Sequence, residues 1–355
     1  MSRDKKPVKV CVVAPYPPRK GGVTVQTELL VRNLEKDGFT VLKVDTNLQW
    51  LRIRGLGPLR LLLQPFFILC KLLINVPKSD VVHFESASYW GFMPTVLGVP
   101  IARLFGKRSV ISYHGGKGPD FMDRHPRLVK RIFKWADVLT VCSLQLQDAF
   151  RERGVSSILL KNMFDSNVFK FRERTEIKPR IMWSRSMDPI YDPLAALKVF
   201  DIVRKKYPDA KLVMTSNGNM MQTVKSYAET HGLENVSLPG RVSLEELVRL
   251  LDEASLYLNT SKQDGLPTSL LEAAACGLPI VTTNAGGIVS LFEQGQSALI
   301  NQVGDVESMA ASLLYLLDNP EKAREMGKAA KQIAEQYTWP NVSKDLVKIY
   351  GIADT

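Results

Sequence analysis

The stretch that decides the fold is Ser261-Lys-Gln-Asp-Gly-Leu-Pro-Thr-Ser-Leu-Leu-Glu-Ala-Ala-Ala-Cys-Gly-Leu-Pro-Ile-Val281. The apolar run 256–259 ends just before it and the run 279–283 closes it, and both read as buried strands. Between them Asp264-Gly265-Leu266-Pro267 reads as a loop and 268–276 as a helix. Strand, loop, helix and strand make one parallel βαβ unit. At the start of that helix, around Leu266, Pro267, Thr268 and Ser269, free backbone N–H groups and the helix dipole would hold a diphosphate. Gly265 lets the backbone approach closely. Glu272, about one turn into the helix, is placed to accept hydrogen bonds from paired ribose hydroxyls. Asp264, on the other side of the phosphate nest, would face a sugar.

The same alternation runs outward from this unit. Strands are expected at 180–183, 211–215 and 236–238, with helices at 193–207, 220–231 and 244–253. Before them 161–180, with Asn162, Asp165 and a mixed-charge run, reads as a linker. The first half repeats the pattern, with strands at 8–14, 39–44, 80–84, 108–113 and 137–142. Its helices fall at 23–36, 94–105, 126–135 and 144–153. Apolar strands alternating with helices imply parallel sheets covered on both faces. The expected fold is α/β, with two Rossmann-like doubly wound domains facing across a cleft. The first spans 1–165 and the second 166–340, and a C-terminal helix in 341–355 crosses back to the first. Ligands of such sheets sit at the carboxyl ends of the strands.

Composition agrees with two ordinary soluble domains: 355 residues, 45% hydrophobic and 23% charged. Cys11, Cys70, Cys142 and Cys276 are scattered through apolar stretches and read as reduced core residues, neither a disulfide frame nor a zinc site. The charged start, running straight into a strand, reads as no signal peptide. A net charge of +11 admits nucleic acid, an anionic membrane or a phosphorylated substrate as partner. With no nucleic-acid signature in the chain, the expectation is no nucleic acid. Much of the excess lies in the first half, at Arg52, Arg54, Arg60, Lys71 and the basic run 124–134. Residues 59–74 admit two readings, a mostly buried helix or an interfacial one. In the second, Phe66 and Phe67 dip into a membrane beside Arg52, Arg54 and Arg60.

Asp264 and Glu272, separated by seven residues and followed by Ala-Ala-Ala-Cys-Gly-Leu-Pro, resemble the signature of the large retaining glycosyltransferase family of the GT-B fold. That family includes bacterial mannosyl-, glucosyl- and N-acetylhexosaminyltransferases. The resemblance extends to Asn284-Ala-Gly-Gly-Ile, to 236–240, to Asn162-Met-Phe-Asp165, to Gly21-Gly22-Val23 and to Tyr113-His114-Gly115, so it covers most of the chain in order. It implies that His114 lies near the transferred sugar and that Gly21 and Gly22 bring backbone amides to the donor phosphates. It also implies that Arg185 neutralises charge on the leaving diphosphate. Catalytic roles thus fall to His114, Arg185 and Asp264. Ser216, Gly218, Arg241 and Val242 would join the donor site, the base being read largely through backbone groups. His83 and Glu85 would line the acceptor side.

The chain also departs from the family pattern. Asp264 replaces the usual glutamate, and Ile190-Tyr191-Asp192 stands where a phosphate-binding lysine is usual, leaving Lys262 or Arg241 to supply a second cation. Ser216, Ser290 and Gln26 replace a glycine, a glutamate and a histidine. No metal is implied, since there is no Asp-x-Asp and no ligand set, and no cofactor beyond a nucleotide diphosphate sugar, UDP or GDP, as co-substrate. The expected activity is retaining, metal-independent hexosyl or N-acetylhexosaminyl transfer to an acceptor hydroxyl. The acceptor would be a glycan or a polyprenyl- or glycolipid-linked polysaccharide precursor, at the cytoplasmic face of the plasma membrane where the protein binds peripherally. A sugar-nucleotide 2-epimerase on the same fold and a non-catalytic, nucleotide-sugar-binding scaffold are the two alternatives.

Overall fold

The computed structural model describes residues 7–17, 21–47 and 59–352, with the backbone alone at 59–62. The chain divides into two compact units, Met1–Met163 with Val342–Thr355, and Phe164–Asn341. Each is built on one six-stranded sheet in which every strand pair is parallel.

In the first unit the strands are β1 (Lys9–Ala14), β2 (Thr40–Asp45), β3 (Val81–Ser86), β4 (Arg108–Tyr113), β5 (Val138–Val141) and β6 (Ile158–Leu159), in the order β2-β1-β3-β4-β5-β6. Their helices are α1 (Gly22–Lys36), α2 (Leu59–Asn75), α3 (Met93–Leu104), α4 (Gly118–Arg124), α5 (Pro126–Trp135) and α6 (Leu144–Glu152). β3 is buried at every residue, as a strand covered on both faces must be. Its Val82 and Phe84 pack with Ile68 and Leu72 of α2, Val99 of α3 and Val129 of α5.

The second unit carries β7 (Arg180–Ser184), β8 (Lys211–Thr215), β9 (Val236–Gly240), β10 (Leu256–Asn259), β11 (Ile280–Thr283) and β12 (Leu299–Asn301), in the order β12-β11-β10-β7-β8-β9. Its helices are α7 (Pro193–Lys206), α8 (Met221–Thr230), α9 (Leu244–Glu253), α10 (Thr268–Ala275), α11 (Val306–Asp318) and α12 (Pro320–Glu335). The last helix, α13 (Trp339–Ile349), belongs from Val342 onward to the first unit. There Arg108 Nε donates to the carbonyl of Ile349 at 2.8 Å. Both sheets reverse their winding once, between β1 and β3 in the first and between β7 and β10 in the second. These are the switch points at which doubly wound sheets bind ligands.

Several elements form where the sequence pattern gave no expectation. β6 and β12 are two and three residues long, too short for a period to register. α4 begins Gly118-Pro119, residues that punctuate a chain as readily as they start a helix. α11 is apolar on most of its surface, and α12 holds Gly327 in its interior, where any Cβ would lie 2.3 Å from the carbonyl oxygen of Gly277. Close packing of α12 on the turn after α10 demands that glycine.

α2 turns out to be half buried, and the stripe that faces water is apolar. Gln64 is buried and donates its amide to the carbonyl of Thr46 at 2.9 Å. Phe67 packs against the core, whereas Phe66, Leu73 and Ile74 are exposed. Arg52 and Arg54 lie outside the described residues, as does the side chain of Arg60.

The stretch read as a linker contains a buried anchor. Arg174 is 7% exposed. It donates through Nε to Ala254 O (2.9 Å), through one terminal nitrogen to Leu251 O (2.8 Å), and through the other to Arg172 O (2.9 Å) and the carbonyl of Cys276. It thereby satisfies carbonyls at the ends of both α9 and α10, which have no intrahelical donors. Burial pulls its pKa down to about 10, which still leaves it charged at neutral pH. Replacing it (Arg174→Met) strands several buried carbonyls, each worth about 1–3 kcal/mol. Urea unfolding at pH 7 is expected to show the second unit destabilised by about 3–5 kcal/mol.

Candidate functional site

At the switch point of the second sheet the chain leaves β7 through Arg185 and leaves β10 through Asn259, Thr260 and Ser261 toward Asp264. Because β7 and β10 are neighbours, these two exits meet. A terminal nitrogen of Arg185 contacts the Asp264 carboxylate directly, and its partner nitrogen donates to Ser269 Oγ at 2.9 Å. The Tyr191 ring lies under the guanidinium, 4.2 Å from ring centroid to Cζ. Both charged side chains are only 11% exposed. Burial pushes the Asp264 carboxyl up, against the pull of Arg185, and Arg185 Nε is buried with no partner.

α10 begins in this pair's midst. Its first turn carries no acidic residue, no side chain caps it, and Pro267 precedes it, so its leading N–H groups are open to an anion. Among the described residues nothing stands within 4 Å of where a Cβ on Gly265 would sit, and the same holds at Gly21 and Gly22, which open the likewise uncapped α1. The Asp264 carbonyl accepts from Gly287 N at 2.9 Å, which ties the loop to the Gly286-Gly287 turn after β11.

Glu272 lies one turn along α10, and burial lifts its pKa to about 7, only partly opposed by Arg185. A buried carboxyl poised near neutrality within the influence of a buried arginine makes this a candidate ligand site. Thr268, Leu266 and Pro267 line the same helix start, half-buried or buried.

The remaining expected donor residues sit on neighbouring exits. Ser216 follows β8 in a left-handed conformation, φ 86°, at the position where a glycine was expected, and its N–H donates to Gly240 O at 2.6 Å. Gly218 has a packing reason of its own, since a Cβ there would meet the Met187 backbone at 2.3 Å. Arg241 is exposed and Val242 half-buried, just beyond β9. The loop 189–192, where the second cation is missing, instead recruits Lys262. Its backbone N–H donates to Ile190 O at 2.8 Å, and its ammonium lies 2.9 Å from the Asp192 carboxylate. The sequence left the choice between Lys262 and Arg241 open, and this contact depends on the loop's shape.

In the first unit the switch-point exits gather His83 and Glu85 from β3 with His114 after β4. His83 is buried at 1%, and Glu85 touches both histidines. A small recess opens beside them, lined also by Gln26, Cys142, Lys161 and Asn162. His83 and Glu85 thus sit inside a polar cluster of the unit, and Tyr350, which completes it, carries no motif by which sequence could single it out. Among the described residues no group of three His, Cys, Asp or Glu side chains is arranged to hold a metal ion.

The two units, each a doubly wound parallel α/β sheet, have the GT-B fold. Residues 168–333 match the family Glycosyl transferases group 1, and the chain is a glycosyltransferase. It is 22% identical over 367 residues to an uncharacterized glycosyltransferase of Methanocaldococcus jannaschii, covering 97% of this chain and 98% of that one. It is 25% identical over 293 residues to the GDP-mannose-dependent alpha-(1-6)-phosphatidylinositol monomannoside mannosyltransferase of Mycolicibacterium smegmatis, covering 76% and 75% respectively. In fold it is similar to Anabaena HepE, solved in complex with UDP and glucose, with a TM-score of 0.75, 16% identity and coverage of 97% and 99%.

The raised pKa of Glu272 has a consequence for stability. The folded state holds this proton more tightly than the unfolded chain, so stability is lost as pH rises from about 4.5 to about 7. Glu272→Gln is therefore expected to unfold later than the wild type at pH 8, by roughly 2 kcal/mol, and to show no such gain near pH 4.5. Thermal melts at the two pH values measure both.

Proposed function

We propose that this transferase moves a hexose or N-acetylhexosamine from a UDP- or GDP-sugar to an acceptor hydroxyl with retention of anomeric configuration. The second unit holds the donor and the first holds the acceptor. The observation that carries the reading is the meeting of Arg185, Asp264 and the uncapped start of α10, with Glu272 one turn beyond. The α10 amides and Arg185 take the diphosphate, Glu272 takes the ribose hydroxyls, and Asp264 faces the sugar. Lys262, held at the loop after β7, supplies the second cation. As the bond from C1 to the phosphate oxygen breaks, charge grows on the leaving diphosphate where these fixed donors stand. The acceptor oxygen bonds to C1 on the same face and its proton passes to the departing phosphate. His114 serves the reacting sugar, and Gly21 and Gly22 lend backbone amides. No step in this scheme requires a metal. The UDP and glucose of HepE and the GDP-mannose in the mycolicibacterial relative's name support this donor class.

We propose further that the acceptor is lipid-linked and that the first unit meets it at the cytoplasmic membrane surface. Among the described residues no helix is long and apolar enough to cross a membrane. α2, α3 and α5 adjoin one another in sequence across the unit. They expose Phe66, Leu73, Ile74, Leu104, Phe105, Leu128 and Trp135 among the exposed bases Arg103, Arg127, Lys130, Arg131 and Lys134. That mixture suits an anionic interface.

A thermal-shift series with UDP- and GDP-sugars tests the donor site. At about 100 times its dissociation constant the right donor should add roughly 2.7 kcal/mol to wild-type stability, and nothing to Glu272→Ala or Arg185→Ala. Indifference of the wild type to every donor would overturn the reading. Flotation with phosphatidylglycerol vesicles at low salt tests the membrane arm, which fails if the protein stays with the soluble fraction.

A further inference from the structure

Around His114 the first unit builds a buried chain of polar side chains. His83 and Glu85 stand two apart on β3 and so share one face. Glu85 lies opposite Ser112 in the β3–β4 register, and the backbone N–H of His114 extends that ladder by donating to Ser86 O at 2.9 Å. One oxygen of Glu85 is 3.2 Å from His83 Nε2, and the other touches His114 Nε2. Behind them, His83 Nδ1 lies 2.7 Å from the hydroxyl of Tyr350, which α13 carries in from the end of the chain. The side chains of His83, Glu85 and His114 are 1%, 4% and 12% exposed.

A carboxylate this deep needs a compensating charge. Burial by itself drives the Glu85 carboxyl upward, yet the adjoining His114, aided by His83, holds it below the usual carboxylate range. Burial likewise opposes a charged imidazole, but the Glu85 carboxylate, with Cys142 against the ring, keeps His114 protonated above its ordinary range. The other titratable groups around the cluster are Tyr113 and Lys161, which line the recess, and Tyr16 and Tyr350, close enough to Glu85 to feel its charge. Burial pushes Tyr16, Tyr113 and Tyr350 upward, which keeps them neutral.

We propose that Glu85 is a positioning residue, fixing the ring and the cationic form of His114, and that His83 and Tyr350 hold Glu85 in place. The inference rests on the assignment of His114 to the reacting sugar made above. A lone imidazolium would repel the positive charge that grows on a sugar as its bond to phosphate breaks. Paired with Glu85, the ring is fixed in orientation, and the pair presents no net charge to the sugar. The arrangement also brings Tyr350, which follows α13, into the cluster at its far end.

Imidazole titration by NMR, with His114→Gln supplying the assignment, tests this apart from turnover. In the wild type His114 should stay protonated well above neutrality. In Glu85→Gln it should titrate in or below the ordinary imidazole range, with Glu85→Asp between the two and Tyr350→Phe shifted in the same direction. An unchanged His114 titration in folded Glu85→Gln would overturn the proposal. In parallel, Glu85→Gln should lower kcat roughly 10- to 100-fold with little change in KM for the nucleotide sugar. If His114→Gln itself turns over normally, the assignment of His114 to the sugar fails, and that result is distinct from a failed titration.

Discussion

A parallel sheet buried on both faces must return each chain crossing over one face or the other. Wherever the crossings change direction, two neighbouring strands end with their loops leading apart. That constraint organises each unit of this protein. Between β7 and β10 two loop exits meet, and the chain places there residues poorly suited to a core: an arginine, two acids and an uncapped helix start. Between β1 and β3 it brings a glycine-led helix start to the same end of the sheet as the His83–Glu85 pair. Burying charge is costly everywhere else in these units. Arg174, the exception in the second, is surrounded by carbonyls from four residues.

The two buried glutamates show how environment sets their use. Glu85 is locked between two imidazoles and has no freedom to exchange a partner without breaking the cluster. Glu272 has only the pull of Arg185 to offset its burial, so it sits near half-protonation at neutral pH. A site that must accept and release a ligand needs the second kind, because a carboxylate already satisfied by protein gains little from a hydroxyl. The cost is a folded state less stable than it would be with a neutral side chain, the trade found where function occupies a buried position.

The alternation of apolar strands and helices was legible because both sheets are covered on both faces, which makes inner strands such as β1 and β10 largely apolar, buried runs. The decisive loop was legible for a local reason, since residues 261–281 hold a strand end, a glycine, a helix start and two acids in one contiguous stretch. What stayed hidden was assembled from afar. Tyr350 reaches His83 across 267 positions, and Arg174 reaches Cys276 across 102. For α2 the sequence left two readings open, mostly buried or interfacial, because its few polar residues do not say which side faces the core. Gln64 turns inside to bond the carbonyl of Thr46, and the apolar Phe66, Leu73 and Ile74 are left exposed.

Ser216 shows the same limit at one residue. Its left-handed backbone, φ 86°, costs a side-chain-bearing residue of order 1–2 kcal/mol, so the sequence alone would place a glycine there. The turn is nevertheless over-determined. The Ser216 N–H is bound to Gly240 O, Met187 N–H is bound to Asn217 O, and Gly218 lies flat against the Met187 backbone. With both flanks fixed, the intervening residue has no other conformation, and strain persists at functional loops under that condition. A hydroxyl is thereby retained at the exit of β8, beside the exit of β7 that carries Arg185. A glycine would relieve the strain but could not present that group.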